Sequence, residues 1–172
     1  MKPRVVTIFG TGQVDDSYPE YQTAVLIGRM LAGRGFVICN GGYGGIMEAT
    51  ARGAKEAGGR TIGITAKELK GKANRWIDEE RQAATWRERI FGLIDAADAY
   101  LVFDGGTGTL AEVFVVWESM NKNFFARPMI LFGPRIRRLA EHVRQWPQFV
   151  SNPFAFLAET PEQILQYLKS GL

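Results

Sequence analysis

The 172-residue chain is predicted to fold as an α/β protein, with a doubly wound parallel sheet in a single domain spanning residues 1–172. Three observations predict it. Strand-like and helix-like segments alternate from end to end, the pattern of crossover connections. Three of the strand-like runs end in glycine, at Gly10-x-Gly12, Gly41-Gly42-x-Gly44-Gly45 and Gly105-Gly106-x-Gly108. The chain is long enough for one sizeable core, and no linker or internal repeat divides it.

The first strand is read from Arg4 to Phe9, a β-branched run that stops at Gly10-Thr11-Gly12. Ser17 and Glu20 form a capping box for the first helix, with Tyr21, Ala24, Gly28 and Leu31 facing inward and Gly35 marking the end. The second strand runs from Phe36 to Cys39. A helix from Ile46 to Ala57 carries Ala49, Gly53 and Ala57 at four-residue spacing, small enough to let it approach the sheet closely, and Gly58-Gly59 ends it. The third strand is Thr61 to Ile64. The polar stretch from Lys67 to Ala83 reads as a mobile lid.

Thr85 and Glu88 make a second capping box, opening a helix with Trp86, Ile90, Leu93, Ile94 and Ala97 inward. The fourth strand, Ala99 to Phe103, is apolar up to Asp104. A glycine-rich turn and a helix from Leu110 to Asn121 follow. Pro128 to Phe132 is a fifth strand, Ile136 to Gln145 a helix, and Phe154 to Leu157 an edge strand. Thr160-Pro161-Glu162 caps the last helix. The whole is Rossmann-like.

Composition narrows the function. Hydrophobic residues at 46% and charged residues at 23% suit a soluble, cytoplasmic protein, without a signal-peptide pattern or an apolar run long enough for a membrane span. A single Cys39 and a single His142 exclude a disulfide and a cysteine- or histidine-rich metal site, so no cofactor or metal is expected. The net charge of +3 suits a small anion, and Arg135, Arg137 and Arg138 lack the aromatic platform of a nucleic-acid surface.

In an open parallel sheet, ligands bind at the carboxyl ends of the strands. Glycine there lets backbone amides approach an anion, and a following helix adds its positive end. The expected phosphate-binding residues are therefore Gly10, Thr11, Gly12, Gly41, Gly42, Gly45, Gly105, Gly106, Thr107, Gly108 and Thr109. A dinucleotide fingerprint is incomplete after Phe9, Cys39-Asn40 supplies no acidic ribose ligand, and no Walker A lysine occurs.

Glu112 is expected in the first turn of its helix, facing the crevice and kept ionised by the helix dipole; its spacing from Thr109 also fits a capping box. Arg89 is placed by reach. Arg89 to Ala96 spans roughly 12 Å of helix and the fourth strand roughly 16 Å in the opposite direction, which returns Arg89 to the level of Gly105. The helix after the turn is apolar nearly all round, at Leu110, Val113, Phe114, Val115, Val116, Trp117 and Met120, and Phe124-Phe125 follow. Such a helix needs cover on both sides, which predicts a homodimer.

Asp104-Gly105-Gly106-Thr107-Gly108-Thr109-Leu110-Ala111-Glu112 resembles the Pro-Gly-Gly-x-Gly-Thr-x-x-Glu motif of the LOG ("lonely guy") family, often labelled lysine decarboxylases. The resemblance extends to Gly41 through Glu48, to Gly58 through Ile64 and to the helix bearing Arg89, about residues 4 to 133 in all. It implies a homodimeric phosphoribohydrolase that cleaves nucleoside 5′-monophosphates, AMP or cytokinin ribotides, into free base and ribose 5-phosphate. Arg89 and Glu112 match that family's catalytic pair, and Gly105 to Thr109 its phosphate loop. Two positions depart from the pattern. Asp104 replaces proline, setting a negative charge beside the loop, and Ile90 replaces a lysine. The related molybdenum cofactor carriers imply an alternative, a non-catalytic carrier or sensor of a phosphate-bearing ligand.

Overall fold

The computed structural model describes residues 3–146 and 155–171. The strands are β1 (Val5–Phe9), β2 (Val37–Asn40), β3 (Thr61–Ala66), β4 (Glu79–Ala83), β5 (Ala99–Val102), β6 (Met129–Phe132) and β7 (Ala155–Ala158). The helices are α1 (Pro19–Ala32), α2 (Ile46–Glu56), α3 (Trp86–Asp95), α4 (Thr107–Asn121), α5 (Pro134–Val143) and α6 (Pro161–Gly171). All strand pairs are parallel, in the order β4-β3-β2-β1-β5-β6-β7. The doubly wound α/β expectation is met.

Alternate side chains of each central strand feed two separate cores. On one face Phe9, Tyr100 and Val102 pack with Ile90 and Leu93 of α3 and Val116 and Trp117 of α4. On the other, Val6, Ile8 and Leu101 pack with Ala24 and Ile27 of α1, Ala49 of α2 and Ile164 of α6. Burial on both faces explains why these strands are apolar throughout. The order reverses between β1 and β5, so the turns that follow them diverge and open a crevice.

Several local expectations change. Ser17 caps nothing: its amide and hydroxyl both bond Asp15 Oδ1, at 3.0 and 2.6 Å, and α1 starts at Pro19 without a side-chain cap. Of the small residues of α2, Ala49 packs on the sheet as expected, whereas Gly53 serves a contact with α1. A Cβ on Gly53 would overlap the Val25 carbonyl of α1, and one on Gly28 would overlap the Thr50 carbonyl of α2. Ala57 lies past the end of α2 and is exposed. Trp86 is 43% exposed instead of inward.

Residues 67–83 are not a free lid. They end in β4, an edge strand, and Asn74 anchors what precedes it: its amide donates to the Gly42 carbonyl at 2.7 Å and its Nδ2 to the Tyr43 carbonyl at 2.8 Å. The polar sequence of β4 hid it, because an edge strand buries little. The Thr85–Glu88 cap is present, the Glu88 amide donating to Thr85 Oγ1 at 3.1 Å. β7 is an edge strand as expected; its expected first residue, Phe154, lies outside the described residues. Among the described residues no helix is long and apolar enough to cross a membrane.

Candidate functional site

Three turns meet at the carboxyl edge, and backbone bonds lock them together. The Thr11 amide donates to the Asp104 carbonyl at 3.2 Å, and the Thr11 carbonyl accepts from the Ile46 amide at 2.9 Å. The turn after β1 is thus tied to the turns after β5 and β2. Gly45 makes this possible: its φ is +69°, and a Cβ would overlap the Thr11 carbonyl. Asn40 braces the middle turn from beneath. Its Oδ1 accepts from the Gly42 amide and its Nδ2 donates to the Met47 carbonyl, both at 2.8 Å.

Between these turns lies a cavity of about 300 Å³. Gly10, Thr11, Gly12, Gly41, Arg89, Gly106, Thr107, Gly108, Thr109 and Glu112 all line it. Gly42, Gly45 and Gly105 do not; a Cβ on Gly42 would meet Thr65, and one on Gly105 the Thr109 side chain, so these glycines shape the turns from behind. Gln13 and Met47 line the cavity too, and sequence reasoning did not single them out. Nothing in a lone glutamine or methionine marks it before the turns are assembled.

The cavity wall holds a buried ion pair. Arg89 Nη1 lies 3.5 Å from Glu112 Oε1, with side chains only 8% and 10% exposed. Arg89 Nε donates to the Ile64 carbonyl at 2.9 Å, and its guanidinium carbon sits 5.5 Å from the centre of the Tyr43 ring. Arg89 is therefore fixed from three sides and not paired with Asp95 or Glu88. Gly41 must stay small, because a Cβ there would overlap the guanidinium. Tyr43 is itself held, its Oη accepting from the Ala66 amide at 3.1 Å.

Glu112 differs from expectation in placement and charge. α4 begins at Thr107, with Gly106 as its N-cap and no side-chain cap, so Thr109 lies inside the helix and forms no capping box with Glu112. Glu112 falls in the second turn, where the dipole's influence has faded. Burial dominates instead and pushes its carboxyl up to about 7, against a partial lowering by Arg89. Burial thus favours the neutral acid while Arg89 keeps the charged form accessible, so the group can both give and take a proton.

Asp104 also departs from expectation. Its carboxylate turns away from the loop to the N-terminus of α5, accepting from the amides of Ile136 at 2.7 Å and Arg135 at 3.1 Å. The charge is spent on a helix end. Ile90 is buried in the core, 5% exposed. With no side chain capping α4, the amides of Thr107, Gly108 and Thr109 stay open toward the cavity, as an anion requires.

Comparison with known proteins bears on the family and the fold. The sequence pattern of the SLOG cluster4 family matches residues 3–146. An uncharacterized protein of Archaeoglobus fulgidus is 30% identical over 137 residues, covering 79% of this chain and 89% of its own. A cytokinin riboside 5′-monophosphate phosphoribohydrolase of Mycobacterium tuberculosis is 33% identical over 116 residues, 66% of this chain, and the match spans 62% of that relative's length. In structure, the molybdenum cofactor binding protein of Rippkaea orientalis is similar with a TM-score of 0.79 and 26% identity, over 99% of this chain and 98% of that one.

Proposed function

Since the chain belongs to the SLOG cluster4 family, we propose that it hydrolyses the N-glycosidic bond of nucleoside 5′-monophosphates, releasing free base and ribose 5-phosphate. The observation that carries this reading is Glu112, buried, poised near neutrality and 3.5 Å from Arg89 beside a turn of open amides. Relatives named as phosphoribohydrolases support it.

The phosphate sits on the amides of Thr107 to Thr109, and binding there, away from the broken bond, holds the ribose in place. Protonated Glu112 gives its proton to the departing base as the C1′–N bond breaks and its electron pair leaves with nitrogen. The carboxylate so formed stabilises the oxocarbenium-like ribose and takes a proton from the water that attacks C1′. One water is consumed, and Glu112 ends as it began. Arg89 orients the carboxylate and balances its charge. The functional unit is a homodimer, with Phe91 of α3 and Phe114 of α4, 48% and 39% exposed, on the joined face.

Incubation with a panel of nucleoside monophosphates, followed by chromatography for free base, tests this. Release from the wild type that Glu112→Gln abolishes is the expected result. A folded protein that releases no base from any member of the panel would remove the enzyme from consideration.

A second reading, a carrier of a phosphate-bearing pterin, is favoured by the likeness to the Rippkaea orientalis protein along nearly the whole chain. Under it the crevice binds its ligand tightly, no base is released, and molybdenum or a fluorescent pterin copurifies.

A further inference from the structure

A second and larger chamber, of about 630 Å³, adjoins the cavity that holds the ion pair. The two share Thr11, Gln13 and Gly106, which form a waist between them. The first cavity extends from that waist toward β2, Arg89 and Glu112; the second extends toward the ends of β6 and β7 and the start of α5.

The direction in which a nucleotide must run decides what the second chamber can hold. Glu112 is six positions past Gly106 on α4, roughly 9 Å along the helix axis, and helical side chains lean back toward the N-terminus. A phosphate on the α4 amides therefore sits at the waist, and a ribose reaching back to Glu112 lies wholly in the first cavity. The second chamber lies beyond the phosphate, on the side away from the ribose. A terminal phosphate monoester would leave it empty.

Its walls suit something more than solvent. Phe103 and Phe132, edge to face with ring centres 5.4 Å apart, help form an apolar floor. Tyr18 lines the chamber and is 47% exposed, an aromatic side chain of the kind on which rings stack. Arg135 lines the same space with its side chain 77% exposed, held to Asp104 by one contact of 3.4 Å. Arg137 pairs with Glu159 at 2.5 Å and keeps a buried Nε without a hydrogen-bond partner among the described residues. Of the acids on these walls, Asp104 is engaged by the start of α5 and Glu159 by Arg137, which leaves Glu20 as an acceptor for hydroxyl groups.

We propose that the second chamber receives a ring-bearing group joined to the nucleotide's 5′-phosphate through a second phosphate, so that the protein takes pyrophosphate-linked dinucleotides in preference to simple monophosphates. Arg135 meets the second phosphate, and the distal ring stacks on Tyr18 over the phenylalanine floor. The assignment rests on the reading above, in which the α4 amides hold a 5′-phosphate and Glu112 faces the ribose. The bond broken at C1′ is the same.

Titration calorimetry on the Glu112→Gln protein, which binds without turnover, compares AMP with diadenosine 5′,5′-pyrophosphate. The dinucleotide is expected to bind at least about tenfold more tightly. Arg135→Glu, at an exposed position, and Thr23→Trp, which fills the chamber from α1, each bring the ratio of the two affinities toward one. Thermal melts verify that both variants fold. A ratio near one before these substitutions, or a preference that survives both, overturns the assignment while AMP binding keeps the phosphate site standing. Failure of both ligands to bind overturns the phosphate site, and the second chamber's role with it.

Discussion

Replacing Glu112 by glutamine tests the electrostatics of the site independently of any substrate. Burial raises the Glu112 carboxyl from 4.5 to about 7 in the folded protein, while the unfolded chain keeps the ordinary value. Between those values the folded state holds a proton that the unfolded state has lost, so stability falls as pH rises through this window and levels off above it. The full difference corresponds to about 3 kcal/mol. Glutamine keeps the shape and cannot titrate. Urea unfolding of both proteins from pH 4.5 to 8 reads the effect as the wild-type stability minus that of Glu112→Gln, which cancels other titrating groups and the constant loss of the Arg89 pairing. That difference should fall by about 3 kcal/mol from acid to alkaline pH, with most of the fall completed by about pH 7. A difference flat to within about 0.5 kcal/mol, or one rising with pH, would refute a carboxyl held near neutrality by burial.

Gly41→Ala should abolish base release while leaving far-UV circular dichroism intact, because the added Cβ overlaps the Arg89 guanidinium and must displace it. Asp104→Asn should lower stability by about 1 kcal/mol in urea unfolding, through the weakened α5 cap, and should not strengthen phosphate binding. Gly53→Ala should cost about 3 kcal/mol, since its Cβ overlaps the backbone of α1, and a thermal melt would register the loss. Phe91→Glu combined with Phe114→Glu should convert the proposed dimer to monomer in light scattering, both side chains being exposed in the single chain.

The sheet was legible because its central strands obey the simplest rule available. Ala99 to Val102 is buried on both faces and reads as an unbroken apolar run, and glycine marks where β1, β2 and β5 must turn. What failed was chemistry that depends on neighbours distant in sequence. Ser17 has the spacing of a cap, yet Asp15 offers its hydroxyl a closer partner. Gly53 signals close approach, but only the assembled fold says that the approaching surface is α1. β4 shows no apolar period, because it is an edge strand whose central residues face solvent. The site followed the same division. Arg89 was placed by counting residues along a helix and a strand and Glu112 by following the glycine turn, whereas the dominant influence on the Glu112 carboxyl was misread: burial, not the helix dipole, sets it. Its helix starts three residues earlier than the sequence suggested, which moves the carboxylate away from the dipole and into the core.

That displacement explains why the pair is built as it is. A carboxylate in the first turn would be fully ionised and solvated, a good anchor but a poor proton donor. One turn further on, desolvation favours the neutral acid, and only the neighbouring guanidinium keeps the charged form accessible. The arginine needs its own support, since burying an unpaired cation is costly. The Ile64 carbonyl and the Tyr43 ring supply it without donating a second negative charge. A carboxylate in place of Tyr43 would stabilise Arg89 further, yet would compete with Glu112 for it and drive Glu112 toward the permanently protonated state. The aromatic ring and the backbone carbonyl hold the cation in position and leave its field directed at a single titrating group.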